Sequence, residues 1–427
     1  MRIPARFAIA VLLAAFGASI GLQAQGAAAA PAPTPGWFQA SMSAQSVYDT
    51  NVRQDNAAPQ AGWEENLNAV LQAQHQTSSS SISLTYDPYL QWFASLPGLN
   101  SFNQIAAVRA LYQLSPRWIL GGHASGGYLQ ELPLHVVAGL QPLLAAPAAV
   151  APRTREATGE AAVNLSFAAT TRLTLSGSGE FQAQRFPGAG ASSGLSAVRG
   201  SEGEAAATWA WSRRTQIGVR ALAQNFGVGN ASHLAAESLM LTVSRSLSPL
   251  TQVQLYGGPE YSQVHDTFTL NLPGGGVPIA LTDRVYRVRT YPRFGAEVSH
   301  QDAGHPWSAQ LQRQINNGGG ALPFPVALTQ AQFQCGPRLR PGWRLQFGAN
   351  VAQMSALAAG NLASRVRMAA VSVTLTRRLS RELSLGLDYS YLAQRASGLI
   401  PLTPAVNRSL GGVRLDWVWP GSLESNY

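Results

Sequence analysis

From Trp37 onward the chain alternates apolar and polar residues in blocks of roughly ten, and this two-residue period most constrains what it can fold into. In the stretch from Trp63 to Gln74, one parity carries Trp63, Leu67, Ala69, Leu71 and Ala73. The other carries Glu64, Asn66, Asn68, Gln72 and Gln74. Between Ser81 and Trp92, Ile82, Leu84, Tyr86, Leu90 and Trp92 oppose Ser83, Thr85, Asp87 and Gln91. Near the end, Leu383, Leu385, Leu387, Tyr389 and Tyr391 oppose Ser384, Gly386, Asp388 and Ser390. Wound as a helix, such a pattern would scatter apolar residues around the axis. As a strand it gives one greasy face and one wet face.

The blocks are punctuated in a rhythm two strands long. Short turns fall near Thr77, Ser115, Thr170, Ser212, Ser248, Gly304, Pro341 and Ser380. Longer Gly/Pro/Ala-rich connections occupy 129–158, 186–199, 263–284, 315–327, 354–364 and 394–406. Short turns at one rim and long loops at the other predict an all-β fold: a transmembrane antiparallel up-and-down β-barrel of about 18 strands (16–18). Both termini should then lie on the short-turn side. Trp37, Trp92, Trp118, Trp209, Trp211, Trp307, Trp343, Trp417 and Trp419 sit near strand ends, as interfacial girdles require. Pro88, Pro259, Pro292 and Pro337 fall in or near strands and should mark bulges or strand ends.

Composition agrees. Charged residues are only 12% of the 427 residues, about half the usual share of a soluble domain. Mean hydropathy is close to zero at −0.01, which does not suit a bundle of apolar helices. All 30 basic residues are arginine, and the formal net charge is +9. A single cysteine, Cys335, and seven scattered histidines leave no zinc cluster and no internal disulfide, so no metal or cofactor is expected.

The N-terminus reads as a secretory signal: Arg2 and Arg6, an apolar run from Phe7 to Leu22, and small residues at Ala24, Gly26 and Ala27. The expected organisation is a signal peptide over 1–24, a Pro/Ala linker over 25–36, the barrel over 37–420 and a tail over 421–427. The implied location is the bacterial outer membrane. Its partners there are outer-membrane lipid or lipopolysaccharide and the barrel assembly machinery, with no nucleic acid.

Tyr48-Asp49-Thr50-Asn51-Val52 stands at the end of the first strand. With its Tyr48, Asp49, Asn51 and Val52, it resembles a Tyr-Asp-x-Asn-Val run that opens a family of β-barrel porins often linked to exopolysaccharide production. The resemblance implies a passive outer-membrane channel, or a barrel serving polysaccharide export, with polysaccharide or small anionic solutes as cargo.

Three candidate sites remain. Arg287, Arg289 and Arg293 share one parity with Glu297 on the most charged strand. They read either as an arginine ladder that selects anions or as a structural network with Glu260 and Glu297. Arg109, Arg220, Arg344 and Arg414 are further lumen candidates, opposed by Asp87, Glu180, Glu204, Asp388 and Asp416. His123 and Ser125, two apart, share a strand face, as a base and nucleophile would. They are similar to the His-x-Ser of lipid A deacylase barrels, without the asparagine that follows there. That reading makes an outer-membrane lipid hydrolase; the alternative is a small-residue strand in a protein that is no enzyme. Finally, 129–158 is too apolar for a loop left in water. It should constrict the lumen or close the mouth, or else extend its two strands above the membrane. A structural barrel with a closed lumen is a further alternative.

Overall fold

A computed structural model describes residues 37–52, 58–130, 155–187, 197–229, 232–272, 279–316, 325–357, 365–397 and 405–419. Among them every strand joins one antiparallel sheet: β1 (Trp37–Asp49), β2 (Gly62–Gln76), β3 (Ser80–Phe93), β4 (Ser101–Ser115), β5 (Trp118–Leu129), β6 (Glu156–Ala168), β7 (Leu173–Arg185), β8 (Val198–Ala210), β9 (Thr215–Val228) and β10 (Ser232–Ser246). There follow β11 (Thr251–Leu272), β12 (Ile279–His300), β13 (Trp307–Asn316), β14 (Val326–Cys335), β15 (Arg338–Arg340), β16 (Trp343–Ala356), β17 (Arg365–Arg378), β18 (Leu383–Ser397) and β19 (Val406–Val418). Each pairs with its sequence neighbour, and β1 closes the ring on β19. β14 and the three-residue β15 both run along β16, so the nineteen segments make a wall of eighteen strands. This is the expected closed up-and-down barrel. Among the described residues no helix is long and apolar enough to cross a membrane, a statement that does not bear on strands.

The alternation read from sequence becomes two faces. Trp63, Leu67, Leu71, Ile82, Leu84, Leu90, Trp92, Leu387, Tyr389 and Tyr391 are exposed on the outside. Glu64, Asn66, Asn68 and Gln91 are buried on the inside. Among the candidate girdle residues, Trp118, Trp209, Trp211 and Trp419 are exposed.

The short turns have a common chemistry. The Thr77 hydroxyl accepts the Ser80 N–H at 2.9 Å, and Thr170 accepts that of Leu173 at 2.9 Å. Ser115, Ser248 and Ser380 do the same for Trp118, Thr251 and Leu383 at 3.2, 3.0 and 3.0 Å. One hydroxyl thus satisfies the donor that opens the next strand, which is the physical content of the sequence repeat. The Pro341-Gly342 turn works differently: Gly342 has φ +76°, the left-handed conformation that a turn with proline before it requires.

The four prolines sit where ladders break. Pairing of β2 with β3 skips the positions beside Pro88. Pairing of β10 with β11 skips Leu239 and Met240, opposite Gly258 and Pro259. Pro259 itself faces Pro292 across β11–β12, and β12 leaves β13 after Phe294. Pro337 separates β14 from β15. Each removes a ladder donor at its position.

One expectation is corrected. The segment 263–284 is not a loop but the outer half of a hairpin, in which Gln263 pairs with Val288 and the ladder continues to Leu272 opposite Ile279. Val264, Thr267, Phe268, Thr269, Ile279 and Thr282 sustain the β pattern past the point where the Gly/Pro content suggests a loop. From Asp266, the last residue paired to β10, to Leu272, the hairpin runs on for about 20 Å at ~3.3 Å per residue. The signal segment, the Pro/Ala linker, most of 129–158, the Gly-rich stretches 188–194 and 273–276 and the C-terminal tail lie outside the described residues.

Toward the long-connection rim the interior is apolar in places. Val326, Leu328, Ala352, Met354, Val366, Met368 and Leu392 form a buried cluster along the inner faces of β14, β16, β17 and β18. A second cluster joins Phe226, Leu234, Ala236 and Val264 to Ile315, Ala327 and Leu357. The last three share the parity of the outward Leu311, Phe333 and Val351. The upper ends of β13, β14 and β16 therefore lean so that outer-parity side chains meet inner-parity ones.

Candidate lumen charge belt

The inner face carries its charges in sectors. On β4 and β5, Arg109 lies directly opposite His123. His123 is buried and its Nε2 stands 3.3 Å from Oε1 of Glu160 on β6. The structure sets an acid that sequence reading did not find, Glu160, against the imidazole of His123 and opposite Ser125 in the ladder.

The next sector is acidic. Glu180 on β7 faces Glu202 on β8. Glu202 accepts a hydrogen bond from Gln224 Nε2 at 2.6 Å, and Glu204 pairs with Arg220 Nε at 2.6 Å. Glu156 accepts from Gln184 at 2.9 Å. This cluster spans four neighbouring strands, β6 to β9, that the sequence separates by about twenty residues each, so only the ladder reveals it.

Beside it lies a buried ion pair. Arg293 Nη1 donates to Glu260 Oε1 at 2.8 Å, with both side chains buried. Glu260 Oε2 accepts the backbone N–H of Ile315 at 3.1 Å. That donor stands beside Pro292, where β13 has lost its ladder partner. Arg293 also reaches Gln314 Oε1 at 3.4 Å. Gly295 faces Tyr256, and a Cβ there would overlap the far end of the tyrosine ring, which would have to move aside. Arg287 and Arg289, on the same parity, lie where β12 no longer pairs with β13, and among the described residues neither has an ion-pair partner. Of the three arginines read as a ladder, one is committed to an acid and two are not.

Next to β12 the wall of β13 and β14 is lined by amides. Gln310 lies opposite Gln332 and Gln312 opposite Gln330, with Gln314 and Gln334 on the same inner faces. Gln312 Nε2 donates to Gln330 Oε1 at 3.4 Å. Arg344, at the short-turn end of β16, is exposed.

The barrel seam has its own network. Arg414 lies 3.5 Å from Asp388 and 3.4 Å from Asp416. Asp388 accepts hydrogen bonds from Thr374 Oγ1 at 2.7 Å and, across the seam, from Gln45 Nε2 at 3.1 Å. Near the long-connection rim, Asp49 binds Arg408 with Nη2–Oδ2 2.6 Å and Nε–Oδ2 2.8 Å, both residues buried. Its other oxygen accepts the Asn51 N–H at 2.8 Å, and Asn51 Nδ2 donates to the Asn407 carbonyl at 3.2 Å. Val52 packs with Phe93 and Leu99, and Tyr48 points outward against Trp63. The Tyr48–Val52 run is thus the part of the first strand that fastens the last one. Arg408 escaped the sequence reading; the signal was its even parity with Arg414 on the final strand, adjacent to Asp49 once the barrel closes. Among the described residues no group of His, Cys, Asp and Glu is arranged to hold a metal.

No protein-family model matches the chain, and no curated protein matches it. Solved structures similar to it include the outer membrane protein OpdK from Pseudomonas aeruginosa, at 11% identity over 90% of this chain and 99% of that one, with a TM-score of 0.40. OccK9 (OpdG) of Pseudomonas aeruginosa shares 14% identity over 89% and 98%, TM-score 0.44. The copper transporter OprC shares 9% identity over 91% and 81%, TM-score 0.44. Likeness at this level supports no statement about activity.

Proposed function

We propose that the chain is a passive, porin-like channel of the bacterial outer membrane, placed there after secretion on its N-terminal signal. The observation that carries this reading is the pair of faces on a closed sheet. Apolar side chains line the outside where lipid would lie, and carboxylates, arginines and glutamines line the inside. Such an exterior is unstable in water, and such an interior calls for water. Refolding into vesicles followed by planar-bilayer recording is the test. Discrete conductance steps support the channel. An inserted barrel without conductance would leave a closed structural barrel, and a chain that stays soluble without detergent would refute the membrane reading.

The lumen favours charge sorting over a uniform anion path. Arg220, Arg293 and Arg414 are matched by Glu204, Glu260 and Asp388. Arg287 and Arg289 attract anions near the long-connection mouth, and Glu180 with Glu202 repels them deeper in. A second reading, a barrel serving polysaccharide export, is favoured by the glutamine wall. Uncharged amides exchange hydrogen bonds with hydroxyl groups without holding ions. Concentration-dependent block of the conductance by neutral oligosaccharides would support it, and indifference to them would exclude it.

A further inference from the structure

The outer face of the barrel carries arginines at the two edges of its apolar band. On β17 the outward parity reads Arg365, Arg367, Ala369, Val371, Val373, Leu375, Arg377. Arg365 and Arg367 are exposed while the intervening Val366 and Met368 are buried on the inner face. Arg367 and Arg377 are ten positions apart. At ~3.3 Å per residue and the usual strand tilt, they bracket an apolar band of about 25 Å, the height of a barrel's lipid-facing belt. Arg377 marks the short-turn boundary, where its guanidinium lies 5.4 Å from the ring of Trp343. Arg367 therefore stands at the opposite boundary, where outer-leaflet headgroups begin.

Across β17–β18, Arg367 is directly opposite Arg395, which is also exposed. Like charges facing each other across a ladder repel. Arg365 adds a third cation one step further up the same face. Among the described residues none of the three has an acidic partner; Arg367 Nε donates only to Gln353 at 3.3 Å. The sequence supplies none nearby either. The connections 358–364 and 398–404 contain no Asp or Glu, and the flanking outward positions are Gln353, Ser355, Asn407 and Ser409. Three arginines on adjacent strands, with no acidic partner among the described residues, at a headgroup boundary, match a dianionic ligand with oxygen acceptors on a plane, which is how guanidinium groups take phosphate.

We propose that Arg365, Arg367 and Arg395 form a lipid-side docking site for the phosphoryl groups of an outer-leaflet phosphorylated glycolipid. The proposal rests on the outer-membrane reading above. The bound phosphoryl group neutralises the opposed arginines and fixes the barrel's height in the leaflet. Arg185 and Arg199 are also exposed on the outer faces of β7 and β8, though not opposed, since Arg199 lies opposite Ala183 and Arg185 opposite Ala157.

The test uses the full chain refolded in phosphatidylcholine vesicles and titrated with bis-phosphorylated lipid A. The same lipid after enzymatic dephosphorylation and inorganic phosphate are titrated alongside. The expected result is preference for the phosphorylated lipid, weakened at least about tenfold in R367Q/R395Q and unchanged in R377Q at the other rim. Equal affinity for the two lipids, an unaffected R367Q/R395Q variant, or inorganic phosphate binding as tightly as the lipid would overturn the proposal while leaving an inserted, conducting barrel intact. A chain that fails to insert would overturn the outer-membrane reading, and the docking site with it.

Discussion

Replacing Arg408 with leucine strips the cation from a carboxylate that the fold has fully enclosed. Asp49 has 0% and Arg408 2% of its side chain exposed, and two guanidinium nitrogens approach one oxygen at 2.6 and 2.8 Å. The seam they hold joins the first strand to the last, with no turn between them. β1 and β19 match nine residue pairs, whereas β1 and β2 match thirteen and are also joined through the chain. Breaking a buried pair by removing one partner typically costs about 3–5 kcal/mol, because the remaining charge has lost both water and its counterion. R408L should therefore destabilise the refolded barrel by about that much in urea titrations followed by tryptophan fluorescence. D49N should also destabilise it, since the buried guanidinium loses its counterion. The double variant D49N/R408L should recover about 2 kcal/mol of the summed loss, the coupling of a direct contact. A cost below about 1 kcal/mol for R408L would refute the argument that this pair fastens the closure.

Glu180 and Glu202 face each other inside the lumen, so E180Q/E202Q should shift the reversal potential in a salt gradient toward anions, whereas R287Q/R289Q should shift it toward cations; no shift from either would remove the charge-sorting reading. G295A should cost about 1–3 kcal/mol by forcing the Tyr256 ring aside, and Y256L in the same chain should restore most of it in the same urea titration. In a C335S background, cysteines at Leu67, Leu71 and Leu387 should react with a lipid-soluble maleimide and those at Asn66, Gln72 and Asp388 with a water-soluble one; labelling without that two-residue period would exclude the faces assigned here. R293Q should destabilise by about 3–5 kcal/mol, since Glu260 would keep its buried charge without its cation, and an R293Q barrel as stable as the parent chain would show that the hairpin junction is held elsewhere.

How much of this was legible in the sequence follows from what each feature depends on. Face assignment depends on a local period, and it survived intact: Leu67 and Leu387 face out, Glu64 and Asn66 face in. The short turns were legible because a Ser or Thr hydroxyl acts within three residues. The four suspect prolines were recognisable as ladder faults before any partner strand was known. Partnerships between strands were not legible, because register is a global property. Glu180 facing Glu202 and Asp49 meeting Arg408 need the ladder. The 263–284 error has the opposite cause: the Pro/Gly run at 273–277 led the loop to be drawn over flanking residues that pair in the ladder as far as Leu272 and Ile279.

The ladder faults also sort the lumen charges into two kinds. Where Pro292 ends the pairing of β12 with β13, the Ile315 N–H would be left without a strand partner, and an unpaired buried amide costs about 1–3 kcal/mol. Glu260 accepts it with one oxygen and holds Arg293 with the other. At the seam, Asp49 likewise divides its two oxygens between the Asn51 backbone and Arg408. In both places a carboxylate replaces a missing strand contact and an arginine neutralises the carboxylate, so these charges serve the wall and are unavailable to a passing solute. Glu180 stands in an intact stretch of ladder, and Arg287 and Arg289 stand on the part of β12 that pairs with β11 alone; among the described residues none of the three forms an ion pair or bonds a backbone group freed by a ladder fault. A barrel gains nothing in closure from a charge of that kind. Solute selectivity should therefore respond to these residues, and barrel stability to Glu260, Arg293, Asp49 and Arg408.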